Sequence, residues 1–331
     1  MKKQYATMGL ASLLMGCFML IFSLPGLSFG FFAHRSINRM AVFALPPEMI
    51  GMYKQNIEFI SERSIDPDKR AHAMPGEAPR HYIDIDHFGD DPFALMPRKW
   101  ADAVEVFTED TLQLYGVLPW HIDVMMHRLR RAFLSNDMDQ ILLMSAHLGH
   151  YTADACTPLH TTKHYNGRTP EERGIHALWE SRLPELFSKQ YTFLTGRADY
   201  VHSPLDRAWE LIEISHLKVD TIYQVFDSLM THFPHDRIFA YEMRGQALNR
   251  VYSRDFSEAF HDALKGMVER QKQLAAKATA DFWFTAWVDA GQPDLKPFQN
   301  RRISRRTLRL LEQEQQALDK EPEQNARYEL E

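Results

Sequence analysis

Cysteine is nearly absent: the 331 residues contain only Cys17 and Cys156. If Cys17 belongs to a leader that is removed, Cys156 has no partner and no internal disulfide can form. Stability must then come from core packing, with metal as a further candidate source. An excess of positive charge is also missing. The 38 Lys and Arg against 44 Asp and Glu leave a formal net charge of -6, which excludes a global basic field that would steer nucleic acid. Strand-type alternation is scarce and no internal repeat is visible. Helical periodicity dominates instead, so the fold class is read as all-α, with 45% hydrophobic residues supporting a globular core.

The N-terminus carries an export pattern. Lys2 and Lys3 precede an apolar stretch from Met8 to Leu24, and Pro25-Gly26-Leu27-Ser28 offers small residues at the positions signal peptidase reads. Residues 1–28 are therefore read as a signal peptide cleaved after Ser28, which places the protein in the periplasm or outside the cell. Cleavage leaves 331 − 28 = 303 residues and, with two lysines gone, a charge of -8. Two alternatives stay open: an uncleaved membrane anchor, or a lipoprotein attached at Cys17, since Leu14-Met15-Gly16-Cys17 resembles a lipobox. With the leader removed, no membrane span is expected to remain.

Helices are expected near 34–44, 47–63, 97–115, 119–135, 137–156, 171–190, 204–230, 235–252, 255–288 and 303–319. Pro46-Pro47 separates the first two, and Asn136-Asp137 can begin the helix over 137–156. Residues 64–96 hold Pro67, Pro75, Gly76, Pro79, Gly89 and Pro92 and read as a long functional loop. Residues 29–299 form the expected domain. Residues 300–331 are a charged tail in which Arg301, Arg302, Arg305, Arg306 and Arg309 precede a Glu/Gln-rich stretch, a solvated helix fraying at its end.

The richest segment is His150 to His160, followed by His176-Ala-Leu-Trp-Glu180. His150 and Asp154 are four apart, as are His176 and Glu180, so each pair projects from one helix face. His160 follows Pro158, where the chain turns and can return a third imidazole. Imidazole with carboxylate suits zinc, with a coordination position left for water. The apolar run from Leu142 to His150 predicts a buried helix, on which ionisable groups need partners.

The pattern His150-x-x-x-Asp154-x5-His160 resembles the signature of the zinc-dependent phospholipase C and nuclease P-one superfamily. Phe29-Gly30-x-x-x-His34 resembles the family's mature N-terminus, with Phe29 where tryptophan is usual, and it begins at the expected cleavage site. The resemblance implies that the Phe29 amine and carbonyl, with His34 and Asp154, hold one zinc. Asp68, His81, His150 and Asp154 would hold another, and His160, His176 and Glu180 a third. Asp66 competes with Asp68. Glu180 resembles the phospholipase branch, whereas the nucleases typically carry aspartate. Asp154 bridges two ions, Asp68 or Asp84 orients a water or takes its proton, and Arg70 is a candidate clamp for developing charge. The resemblance covers roughly Phe29 to Leu186.

The implied activity is phosphodiester hydrolysis of the phospholipase C type, with a phospholipid or nucleic acid as substrate and no obligate protein partner. A single-strand nuclease with 3′-nucleotidase activity is the runner-up, and an envelope protein with structural zinc is the reading from a different class. His147 is expected to support or pack rather than ligate, and His164 could replace His160 if the turn is longer. His121 and His127 read as structural.

Overall fold

The computed structural model of the chain describes residues 30–192, 194–244 and 247–320. The expected leader and Phe29 lie outside these residues. The first helices are α1 (Gly30–Ala44), α2 (Pro47–Gln55), α3 (Ile57–Arg63) and α4 (Asp66–Ala73). They are followed by α5 (Pro92–Leu95), α6 (Trp100–Phe107), α7 (Glu109–Tyr115), α8 (Leu118–Leu134) and α9 (Met138–Ala155). A second series comprises α10 (Ile175–Ala177), α11 (Leu183–Phe187), α12 (Pro204–His216) and α13 (Val219–His232). Strands β1 (Phe239–Arg244) and β2 (Ala247–Tyr252) precede α14 (Arg254–Ala263), α15 (Met267–Asp289) and α16 (Arg305–Leu318). Helices account for 71% and the two strands form the one sheet among the described residues, so the fold is all-α.

Helix α9 is the axis of the larger core. Asp137 caps it by accepting a hydrogen bond from the Gln140 N–H at 3.1 Å, and 15 of its 18 residues are buried. A helix buried all round must lie at the centre of its neighbours, and α1, α3, α8 and α15 pack about it. The Trp283 indole of α15 donates to the Ser145 carbonyl at 2.9 Å, tying the two long helices together. A second apolar core gathers Leu159, Leu178, Trp179, Phe187, Phe226, Tyr252 and Phe260. Helix α15 serves both cores, with Val268 in the second and Trp283 in the first.

Several expected elements differ. The helix expected over 235–252 is instead the antiparallel β1–β2 hairpin, with Phe239 opposite Tyr252 and Met243 opposite Leu248. Its signal was the Gly245-Gln246 pair after a run, Tyr241-Glu-Met-Arg244, that alternates in polarity. The segment 64–96 is not all loop, because α4 begins with Pro67 in its first turn, where a missing N–H costs nothing. The helix expected over 97–115 breaks at Thr108 (φ 66°), whose hydroxyl caps α7. That over 255–288 breaks at Lys265 and Gly266, both with positive φ. Helix α16 falls where a solvated tail helix was expected. It nevertheless buries Leu311, and Thr307 donates to Asp139 at 2.6 Å. Among the described residues no helix is long and apolar enough to cross a membrane.

Candidate metal centre

The centre forms where the two cores meet. Helix α1 brings His34, α4 brings Asp68, and the turn after Ala78 brings His81. The last turns of α9 bring His150 and Asp154, and the Pro158–Thr161 turn brings His160. His176 lies in α10, and Glu180 lies in the wider turn Leu178–Arg182, a single π-type turn between α10 and α11. Such turns are rare and concentrate at functional sites. Here the turn sets His176 Nε2 and Glu180 Oε2 2.7 Å apart.

Three groups of ligand atoms result: His34, His150 and Asp154; Asp68, His81 and His150; and His160, His176 and Glu180. Donors on a tetrahedral zinc at its usual bond lengths lie about 3.3 Å from one another. Asp154 Oδ2 lies 3.1 Å from His81 Nδ1 and 3.2 Å from His150 Nε2, and Asp68 Oδ1 lies 3.3 Å from His150 Nε2. His160 Nε2 is 3.0 Å from His176 Nε2 and 3.1 Å from Glu180 Oε2. His34 Nε2 joins the groups, 3.6 Å from Asp154 Oδ1 and 3.4 Å from Glu180 Oε1. Asp154 is fully buried, yet its Oδ1 accepts no hydrogen bond from the protein. A buried carboxylate oxygen without a donor fits a cation. These buried groups can hold a metal ion.

Supporting contacts aim the rings. His150 Nδ1–H donates to the Ser64 carbonyl at 2.8 Å and His160 Nδ1–H to the His81 carbonyl at 2.7 Å, which leaves both Nε2 lone pairs facing the cluster. His34 stacks on His150 with centroids 4.0 Å apart. This approach of α1 to α9 is set by Gly149, where an added Cβ would meet Asn38 Oδ1 at 2.3 Å.

The electrostatics follow from burial opposed by pairing. Burial pushes Asp154 up, but His150 and His160 and the hydrogen bonds from His150 and His81 hold it far below the usual carboxylate range. Glu180 is likewise raised by burial and lowered more by His160, His176 and His34. Burial disfavours the charged form of His150, yet Asp154 and Asp68 raise it well above an ordinary histidine.

Nearly all the side chains expected from the sequence thus converge. Phe29 lies outside the described residues. His150 stands in two groups, and the structure gathers His34 with it and Asp154. Arg70 is engaged by Glu77 at 3.4 Å, and Asp84 belongs to none of the three groups, its main chain being held by the Tyr115 carbonyl at 2.7 Å. His164 is not in the cluster, and His147 lies beside Asp66, 3.8 Å from its carboxylate.

Two further residues bear on the site. Glu77 is buried and accepts from Tyr151, Arg70 and Arg80. It also stands 3.9 Å from His81 Nε2, behind the ring face that serves the cluster. Its place in a Pro/Gly-rich segment gave no signal. Lys272 is buried on α15 and lines a small internal cavity with His34, Trp179 and Glu180. Burial lowers its pKa to about 8 against the opposing pull of Glu180. Its signal was a lysine on the buried stripe Val268, Gln271, Ala275.

No protein-family model matches the chain, and a search of curated proteins finds no match.

Proposed function

We propose that the chain is an exported, zinc-dependent phosphodiester hydrolase of the phospholipase C type. The observation that carries this reading is Asp154: a fully buried carboxylate placed between histidines of more than one ligand group, with one oxygen left without a donor. A structural zinc is ordinarily closed by four protein ligands, whereas each of the three groups here offers three side chains, with Asp68 the least buried donor.

Bound zinc would neutralise phosphoryl oxygens and bring the pKa of water toward neutrality. The chain's own residues do the rest. Asp68, His81, His150 and Asp154 fix the inner donors. His160 and His176 hold Glu180 ionised. Ser64 and His81 carbonyls lock the imidazole tautomers, so donors do not reorient during turnover. Arg70 stays charged within its pair with Glu77 and lies on the same helix as Asp68, which suits it to oppose charge developing nearby.

The test is metal analysis of purified protein together with turnover of phosphatidylcholine, single-stranded DNA and 3′-AMP. We expect at least two zinc ions per chain and phosphatidylcholine hydrolysis that chelation abolishes and zinc restores. Turnover of nucleic acid alone would move the assignment to a nuclease. Fewer than two ions without turnover would make the metal structural. A chain that keeps the residues before Phe29 should lose activity, because the free amine of Phe29 is then absent.

A further inference from the structure

We propose that the β1–β2 hairpin is a docking finger that seats Tyr241, Met243 and Leu248 in the interface of a phospholipid bilayer. The proposal deepens the phospholipase reading and rests on it only for the consequence for turnover.

One face of the hairpin carries Phe239, Tyr241, Met243, Leu248 and Tyr252, with Arg250 as its one charged side chain. Residues two apart on a strand share a face, and the register sets Phe239 opposite Tyr252, Tyr241 opposite Arg250 and Met243 opposite Leu248. At the root of this face Phe239 and Tyr252 pack with ring centroids 5.0 Å apart against the second core. Beyond the root the same face emerges into solvent, with Tyr241 69%, Met243 64% and Leu248 63% exposed. A two-stranded hairpin has little stability to spare, so three large apolar side chains held in register on its outer half call for an occupant.

Size argues against a protein as that occupant. Three such side chains offer a patch of roughly 300–400 Å², well short of the ~800 Å² per partner that a stable protein interface buries. The length suits a bilayer: from Tyr241 to Arg244 the strand rises about 10 Å, comparable to the ~5–10 Å to which interfacial segments sink.

Chemistry points the same way. Tyrosine with aliphatic neighbours is the composition of a membrane-interface anchor. Arg250, opposite Tyr241 on this face, lies over the Phe239 ring at 4.3 Å, and its long side chain can reach up to lipid phosphates. Charge is complementary, because Arg250 is the one charged residue on this face, while Glu242 on the other face is taken by Arg182 through two hydrogen bonds, one of 2.8 Å. Arg182 ends the same turn that carries Glu180. The opposite face of the finger is therefore fastened to the metal centre, and docking would hold that centre at the lipid surface.

The experiment compares the purified protein with a Tyr241→Ser/Met243→Ser/Leu248→Ser variant. Partition is measured on vesicles of phosphatidylcholine alone and of phosphatidylcholine with about one-third phosphatidylglycerol. We expect at least tenfold weaker partition and an equal loss of vesicle turnover, while hydrolysis of the soluble diester bis(p-nitrophenyl) phosphate stays within twofold. A separate Tyr241→Trp protein should shift its emission to the blue on adding vesicles, a readout that does not depend on the triple variant folding. Equal partition of the triple variant overturns the proposal, as does absence of partition by the wild type on both vesicles. A wild-type dimer that the triple variant dissolves to monomers overturns it in favour of self-association. Vesicle binding through the finger without turnover of any diester leaves docking standing and removes the phospholipase reading. Diester turnover without vesicle binding does the reverse.

Discussion

Replacing Asp154 by asparagine removes one charge while leaving the volume of the fully buried side chain almost unchanged. In the metal-free protein Oδ2 faces His81 and His150 at 3.1 and 3.2 Å, and Oδ1 faces His34 at 3.6 Å. Removing one member of a buried charged pair costs about 3–5 kcal/mol, a large share of the ~5–15 kcal/mol that stabilises a domain. The loss should appear in urea unfolding of the chelated protein as a lower midpoint. The sign with pH is fixed, because the folded-state pKa of Asp154 is depressed. Its contribution is full above the unfolded carboxylate range of about 4 and shrinks as pH falls through lower values, so the gap between wild type and variant should close in acid. With zinc present the effect is larger. Partners one shell out typically cost about 10–100-fold in metal affinity, so a direct donor should cost at least ~100-fold and lower the zinc content by one ion or more. Phosphodiester turnover should drop by at least ~10²–10³-fold, as when a group that stabilises developing charge is removed. An Asp154→Asn protein with wild-type zinc content and an unchanged urea midpoint would refute the bridge.

Gly149→Ala places a Cβ 2.3 Å from Asn38 Oδ1, and Asn38 is itself buried and donates to the His34 carbonyl at 3.2 Å. Helix α1 must give way, so we expect a loss of about 1–3 kcal/mol in urea unfolding together with weaker zinc binding; unchanged values for both would contradict the close approach of α1 to α9. His147 is lowered to about 4, by burial first and by Arg70 next, with Asp66 opposing. A base depressed on folding contributes stability above its unfolded value of about 6.5 and loses it as pH falls toward 4, up to about 3 kcal/mol. His147→Gln should flatten that slope between pH 6.5 and 4 in urea titrations, and an unaltered slope would show that His147 is not held neutral.

The candidate metal centre was legible in the sequence because its densest part is local. His150 and Asp154 lie one turn apart on α9, and His176 and Glu180 one turn apart on α10 and the wider turn after it, so spacing alone sets each pair on one face. The ordered family resemblance then supplied His34, Asp68 and His81, which no spacing could join. What stayed hidden is what crosses the fold. The carbonyl of Ser64 that orients His150 lies 86 residues away along the chain, and its identity as a main-chain atom leaves no mark on composition. Glu77 behind His81 sits in a segment whose proline and glycine content reads only as loop. Asp84 and Arg70 were expected to orient a water and to clamp charge; the fold pairs Arg70 with Glu77 and leaves Asp84 outside the three ligand groups.

The fold class was legible for a related reason, and its one large error shows where periodicity fails. With 3.6 residues per turn, Phe239 and Met243 fall on one side of a helix and Tyr241, Leu248 and Tyr252 on the other, so no single helical stripe gathers them. Read with period two and paired across Gly245-Gln246, Phe239, Tyr241 and Met243 share one strand face with Leu248 and Tyr252 opposite. That register also gathers the exposed Tyr241, Met243 and Leu248 on one outer face, with Arg250 among them. A helical reading spreads those side chains around a cylinder and leaves nothing to explain. The hairpin reading gathers them on one surface, fastened through Arg182 and Glu242 to the turn that carries Glu180. Secondary structure at this one segment therefore decides whether the chain displays a docking face at all, which is why mutating the three residues tests the local register and the proposed lipid contact in a single measurement.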